Sequence, residues 1–201
     1  MEALKPFCKV SSCLMVGVVL ASLFKNLPTS CTADSSYSLK IKKYDCIDTP
    51  YKESTLYSCK SIPRRNAPTM VKVSINIPKI YDNVVVKVFL FYKFSTYQPF
   101  LISIEGNGCE FIRHPPQMSV EKYVYDIINE TLPELLVPCP TGNRTYNLCW
   151  YLQERHAPKN IPPGEYKLQF KLVAQPDITL FGMDVYISVR NTGLVPSFVT
   201  Q

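Results

Sequence analysis

The chain has 201 residues, of which 46% are hydrophobic and 19% charged, a balance that supplies one folded core and excludes an intrinsically disordered chain. The formal net charge is +6 at pH 7, but the lysines and arginines are scattered and cluster only at residues 40–43 and at Arg64-Arg65. Nucleic-acid binding, which needs a continuous basic surface, is therefore not indicated.

The first element in chain order is an N-terminal apolar run. Residues 13–24 are uncharged and follow Lys5 and Lys9. A membrane span needs roughly 20 apolar residues, so this shorter run is typical of a cleaved signal peptide. An uncleaved signal anchor is the alternative, and Pro28 weakens it because a proline interrupts any extension of the run.

We predict that residues 1–33 form the signal peptide, with cleavage after Ala21 or after Ala33. Residues 34–201 then form a single secreted, extracellular domain. No later stretch of the sequence is long and apolar enough to predict a stable membrane span.

The cysteines support the secretory route. The eight cysteines include no CxxC pair and no cluster with histidine at zinc-ligand spacing, so disulfides are their expected state. Cleavage after Ala33 would leave five cysteines, whereas cleavage after Ala21 would keep Cys31 as a sixth. Two sequons, at Asn129 and Asn143, predict N-glycosylation.

Apolar and polar residues alternate with period two along most of the remaining chain, which predicts strands. The expected strands lie at residues 37–44, 55–62, 71–77, 84–94, 101–105, 145–153, 164–172 and 178–190. Pro78 is expected to stop the third of them, and Gly106-Asn107-Gly108 to close the fifth.

Residues 119–132 break this pattern. Apolar residues recur there at helical spacing, Ser119 is a suitable N-cap, and Pro133 ends the segment. About seven strands around one short helix predict an all-β fold, a two-sheet β-sandwich or β-cup with immunoglobulin-like topology. The helix is expected to form a lid or a wall of that sandwich.

The sequence contains no recognised catalytic motif. It lacks a G-x-S-x-G elbow, an H-E-x-x-H pair and a P-loop, and we expect both histidines, His114 and His156, in solvated loops. We therefore predict no enzyme activity, no cofactor and no metal site. Binding remains, either of an apolar ligand between splayed sheets or of another protein by a domain with a dry core.

A series of short motifs between residues 40 and 190 carries a family resemblance. The motifs are Phe91, Tyr97, Pro99-Phe100, Cys109 and Phe111 within residues 88–112, then Cys139-Pro140 and Pro162-Pro163-Gly164-Glu165-Tyr166, with Cys46, Cys59-Lys60 and Arg64 or Arg65 upstream. In this order they resemble a large insect family of secreted proteins of unknown function, which includes the CheB-type chemosensory proteins.

The same order is similar to that of the ganglioside-activator and myeloid-differentiation-factor-related (ML-like) lipid-recognition domains. Those domains are β-cups that hold acyl chains between two sheets, so the resemblance implies an ML-like domain with a hydrophobic ligand cavity. Three features depart from the insect family. Asn107 replaces its usual Asp, residues 135–138 replace an Asn-rich stretch, and Cys149 is additional.

We therefore predict a secreted protein that binds a lipid or a hydrophobic semiochemical, with a chemosensory role and a receptor as a further candidate partner. An extracellular protein-interaction module or co-receptor is the alternative. The residues expected to line the cavity are Phe89, Phe91, Leu101, Tyr123, Ile127, Trp150, Leu168 and Phe170.

We also predict two disulfides, Cys46–Cys59 and Cys109–Cys139. Cys149 then stays unassigned, and early cleavage would leave Cys31 as its spare partner.

Overall fold

The computed structural model describes residues 37–158 and 161–191, so the predicted signal peptide and Cys31 lie outside the described residues. The strands are β1 (Tyr37–Cys46), β2 (Thr55–Arg64), β3 (Ala67–Tyr81), β4 (Val84–Lys93), β5 (Tyr97–Asn107), β6 (Thr141–Trp150), β7 (Gly164–Ala174) and β8 (Ile178–Asn191). The α-helices are α1 (Gly108–Arg113) and α2 (Val120–Thr131), and 3₁₀ turns occur at Pro133–Leu135 and Glu154–His156.

The strands form two antiparallel sheets, which confirms the predicted all-β, two-sheet fold. The larger sheet has the order β1-β8-β7-β4-β5, and the smaller has the order β2-β3-β6. In the larger sheet Leu168 lies opposite both Leu90 and Val185. In the smaller sheet Val73 lies opposite Leu148. Because side chains alternate between the two faces of a strand, such cross-strand rows make one face of each sheet apolar, and these faces enclose the interior.

The third strand is longer than predicted. β3 runs through Pro78 to Tyr81, because its register with β6 shifts between Ile77 and Ile80. A proline has no backbone N–H to donate, and it is tolerated at such an irregularity in the ladder. The expectation that Pro78 stops this strand is therefore wrong.

The turn expected at residues 106–108 is instead a helix start. β5 extends to Asn107, whose side-chain oxygen accepts hydrogen bonds from the backbone nitrogens of Cys109 and Glu110 and so caps α1. Helix α1 has only 6 residues, fewer than two turns, so apolar periodicity did not reveal it.

Helix α2 agrees with the predicted segment to within one residue at each end. Ser119 precedes it, but the Ser119 side chain makes no hydrogen bond to the helix backbone. Its hydroxyl donates to the carboxylate of Glu121 instead. Within the described residues, no helix has the length and apolar character needed to cross a membrane.

One side of the interior is closed where β1 meets β2. These are edge strands, β1 of the larger sheet and β2 of the smaller. The Cys46–Cys59 disulfide joins them. The backbone nitrogen of Tyr44 also donates to Ser61 Oγ at 3.2 Å. The two sheets are thus held directly together along this edge.

The other side of the interior is closed through the helical segment. Cys109 lies in α1, directly after the edge strand β5, and Cys139 lies just before the edge strand β6. The disulfide between these cysteines therefore bounds the segment that contains α2. Both disulfides are the pairs predicted from the sequence, and together they tie the two sheets at both sides of the interior.

Replacing Cys109 and Cys139 by serine is expected to lower the free energy of unfolding by about 3–4 kcal/mol, because the unfolded chain regains the entropy of a loop of 30 residues. The same replacement of Cys46 and Cys59, which are separated by 13 residues, is expected to cost about 3 kcal/mol. Urea denaturation of the two double variants measures both losses. A double variant as stable as the parent protein would contradict the clamping role given to that disulfide.

Candidate functional site

Side chains do not fill the space between the two sheets. Two adjoining cavities, A and B, have volumes of about 140 and 150 Å³. The residues that border both cavities are Val73, Val88, Val124, Ile128, Leu135, Leu148, Phe170 and Phe181. All eight side chains are apolar, so no polar group separates one cavity from the other.

The cavities follow one another along the strands. On β3, Val71 borders cavity A, Ile77 borders cavity B, and Val73 borders both. An extended strand rises about 3.3 Å per residue, so the distance from Val71 to Ile77 is roughly 20 Å. The two cavities together therefore form an elongated apolar space rather than a round pocket.

Unfilled space of this size is costly. A cavity lowers stability by about 24 cal/mol per Å³, so each of the two costs about 3.5 kcal/mol relative to a filled interior. Whole domains are stable by only about 5–15 kcal/mol. An apolar cavity of this volume excludes water but can take up an apolar molecule. Occupation by an apolar ligand would therefore recover a large fraction of the stability that the fold gives up.

Three aromatic side chains at the wall of cavity A have their polar groups paired with protein atoms. The Tyr123 hydroxyl donates to the backbone carbonyl of His156. Trp150 Nε1 donates to Thr131 Oγ1 at 2.9 Å, and the Tyr166 hydroxyl donates to a backbone carbonyl at 2.6 Å. These bonds satisfy the polar ends of three aromatic side chains, whose apolar bodies are left to face the cavity.

Helix α2 forms one wall of this space. Tyr123, Val124, Ile127 and Ile128 border cavity A. No residue of the helix is fully buried, although its apolar side points inward. This side packs against the core only in part, through Tyr123, Val124 and Ile127, and it also borders unfilled space. The helix is held to the rest of the domain by side-chain hydrogen bonds, among them that of Tyr123.

The structure brings together five of the eight residues predicted to line the cavity. Tyr123 and Ile127 on α2, Trp150 on β6, and Leu168 and Phe170 on β7 all border cavity A. Alternation along β7 and helical spacing along α2 predict the inward positions of four of these residues, all except Trp150.

The prediction that Phe89 and Phe91 line the cavity is wrong, because both lie on the outer face of the larger sheet. Phe91 lies opposite Lys167, whose Nζ is 4.6 Å from the centre of the Phe91 ring. Leu90, between them, is the residue that points inward and is 5% exposed. Lys87 has the same parity as the two phenylalanines, and this charge is the sequence signal that could have assigned them to the outer face.

The prediction that Leu101 lines the cavity is also wrong. It is 62% exposed and has φ 59°, and it lies where the β4–β5 register shifts between Phe89 and Phe91. Its neighbours Ile102 and Ile104 point inward and are 7% and 5% exposed. The sequence places Leu101 in alternation with these two isoleucines, so its outward position was already implied.

The expected position of His156 is wrong as well. Its side chain is only 5% exposed and borders cavity A, so it does not lie in a solvated loop. Its Nδ1 accepts a hydrogen bond from the backbone nitrogen of Gln153 at 3.2 Å, within the 3₁₀ turn that follows β6. His114, by contrast, is exposed, as expected.

Several cavity residues were not named from the sequence. They include Val73 and Leu148 on the smaller sheet and Phe181 and Met183 on β8. Leu148 shares its parity with Trp150, and Met183 shares its parity with Val185, so strand alternation could have found both. Sequence alone offered no comparable signal for His156.

Burial raises the pKa of Tyr44, Tyr123 and Tyr166 from 10.0 to about 12. Because the folded-state pKa is the higher one, the protonated hydroxyls stabilise the fold fully below pH 10, and this contribution is lost between pH 10 and pH 12. We expect the urea midpoint to fall across this window, together with the appearance of tyrosinate absorbance. The urea midpoint of the Tyr166→Phe variant should fall less steeply over this pH range. An equal slope in the variant and in the parent protein would contradict the contribution given to the Tyr166 hydroxyl.

Comparison with known proteins gives one family match and several structural likenesses. Residues 86–168 match a family described as "Protein of unknown function (DUF1091)". A Niemann-Pick type C2 protein from Japanese carpenter ant is similar at 14% identity and a TM-score of 0.30, over 68% of this chain and 88% of that chain. Chicken MD-1 complexed with lipid IVa is similar at 14% identity and a TM-score of 0.30, over 79% of this chain and 100% of that chain. No curated protein matches.

Proposed function

We propose that this chain is a secreted carrier that binds a lipid or another hydrophobic small molecule between its two sheets. The observation that carries the proposal is the elongated apolar space formed by cavities A and B. Its walls come from both sheets and from α2. Apolar walls of this kind favour a molecule with a long hydrocarbon chain, since burial of each CH₂ contributes about 0.8 kcal/mol. No covalent chemistry is part of the proposal.

Secretion is a second part of the proposal. Two disulfides in one small domain are typical of proteins that fold in an oxidising compartment. Both sequon asparagines, Asn129 in α2 and Asn143 in β6, are exposed, so a glycan could be attached at either without entering the interior. The chemosensory role and the link to CheB-type proteins rest on the motif resemblance alone.

Native mass spectrometry of protein secreted from insect cells tests binding directly. We expect a co-purifying hydrophobic ligand, and after its removal we expect uptake of the uncharged fluorescent probe N-phenyl-1-naphthylamine. Trp150, the single tryptophan of the chain, borders cavity A and should transfer its excitation energy to the bound probe. A ligand-free mass together with no probe uptake would reject the carrier proposal in favour of the protein-interaction module.

A cavity-filling substitution tests the location of the ligand. Leu148 borders both cavities and is only half-buried, so Leu148→Trp is expected to fill space between them and to weaken probe binding by more than about tenfold, the effect of 1.4 kcal/mol. Thermal unfolding should show unchanged or higher stability. In a dry, fully packed core the same enlargement would cost about 1–3 kcal/mol.

The matched control is Asn147→Trp. Asn147 is the neighbouring residue of β6, and its exposed side chain points to the opposite face. This variant should bind the probe as the parent does. Equal binding by both tryptophan variants would place the probe outside the cavities.

A further inference from the structure

We infer that the cavity selects an uncharged long-chain ligand and that His156 Nε2 donates a hydrogen bond to the oxygen atom of that ligand. This inference rests on the proposed function and narrows its ligand class to alcohols, aldehydes and esters, as distinct from fatty-acid anions and phospholipids. It is carried by the charges that border the cavities and by the surroundings of one buried imidazole.

The part of the cavity walls that the structure describes offers no basic partner to an anion. Among the described residues that border cavity A or cavity B, none is a lysine or an arginine. The charged residue at the wall is Glu121, which borders cavity B, and the hydrogen bond from Ser119 holds the pKa of Glu121 below its usual range. A carboxylate or phosphate inside would therefore be desolvated without a cation from the described residues and would be repelled by Glu121.

His156 offers a hydrogen-bond donor at the wall of cavity A. Its Nδ1 accepts from the backbone nitrogen of Gln153, so in the neutral imidazole the hydrogen is on Nε2. That atom is fully buried, and it has no hydrogen-bond partner in the described part of the chain. A buried donor without a partner costs about 1–3 kcal/mol, a penalty that an acceptor atom of the ligand would remove.

The carboxylate beside Nε2 is already paired with another side chain. Glu130 Oε2 lies 3.5 Å from His156 Nε2 without forming a hydrogen bond, and the same carboxylate is paired with Arg155. The imidazole thus borders cavity A and has the Glu130 carboxylate beside its Nε2. A neutral oxygen can accept from Nε2 at this position, whereas an anionic headgroup would also face the negative charge of Glu130. This second charge reinforces the selection against anions.

The experiment is competition with N-phenyl-1-naphthylamine by ligands of equal chain length: dodecane, dodecanol, dodecanal, methyl laurate and laurate. At mildly alkaline pH we expect the neutral oxygenated ligands to displace the probe best and ionised laurate to displace it worst. His156→Leu should weaken dodecanol binding by roughly 2- to 10-fold, the value of one neutral hydrogen bond, and leave dodecane binding unchanged.

Two further variants make the result specific. His114→Leu removes the exposed histidine and should change nothing. His156→Gln keeps an N–H donor and should retain the preference for dodecanol over dodecane. This variant still tests the inference if His156→Leu folds poorly. Equal binding of laurate and dodecanol, or an equal loss of dodecane and dodecanol in His156→Leu, would overturn the inference. If no ligand, dodecane included, displaced the probe, the carrier proposal itself would fail.

Discussion

The structure depends on the way its two sheets are held at their edges while their facing surfaces stay partly apart. The Cys46–Cys59 disulfide closes the edge formed by β1 and β2, and Cys109–Cys139 closes the side that carries the helices. Because covalent links and edge contacts hold the sheets, the interior does not have to be tightly packed for the fold to persist. Cavities A and B can therefore persist between the sheets. The links at the edges of the sandwich offset the stability that the cavities cost.

Helix α2 shows how the domain can wall off such a space without filling it. Its inward side chains border the cavities, while its polar contacts are made at the periphery, with the Trp150 indole and with the turn that contains His156. Thr131 contributes twice, since its hydroxyl accepts from Trp150 and donates to the Ile127 carbonyl. The walls of the interior are therefore mostly apolar, and the position of the helix is still defined.

Strand parity explains what the sequence could and could not predict. Period-two alternation predicted both sheets and placed Leu168 on the interior face. The same alternation places Phe91, which is expected in the cavity, on the outer face, where its ring contacts the Lys167 ammonium group. Leu101 lies at a shift in the β4–β5 register, and His156 lies in a 3₁₀ turn. Alternation with Ile102 and Ile104 indicates the outward position of Leu101. The burial of His156 depends instead on how its turn packs beside cavity A, which local sequence patterns do not encode.

The central claim is that the space between the sheets is a binding site for one extended apolar molecule. A crystal structure of the protein grown with methyl laurate tests it most directly. The account predicts continuous ligand density between the sheets, running from Trp150 at cavity A toward Tyr146 at cavity B, with the ester oxygen beside His156. Sheets that pack against each other with no space between them, or density confined to the outer surface, would contradict it.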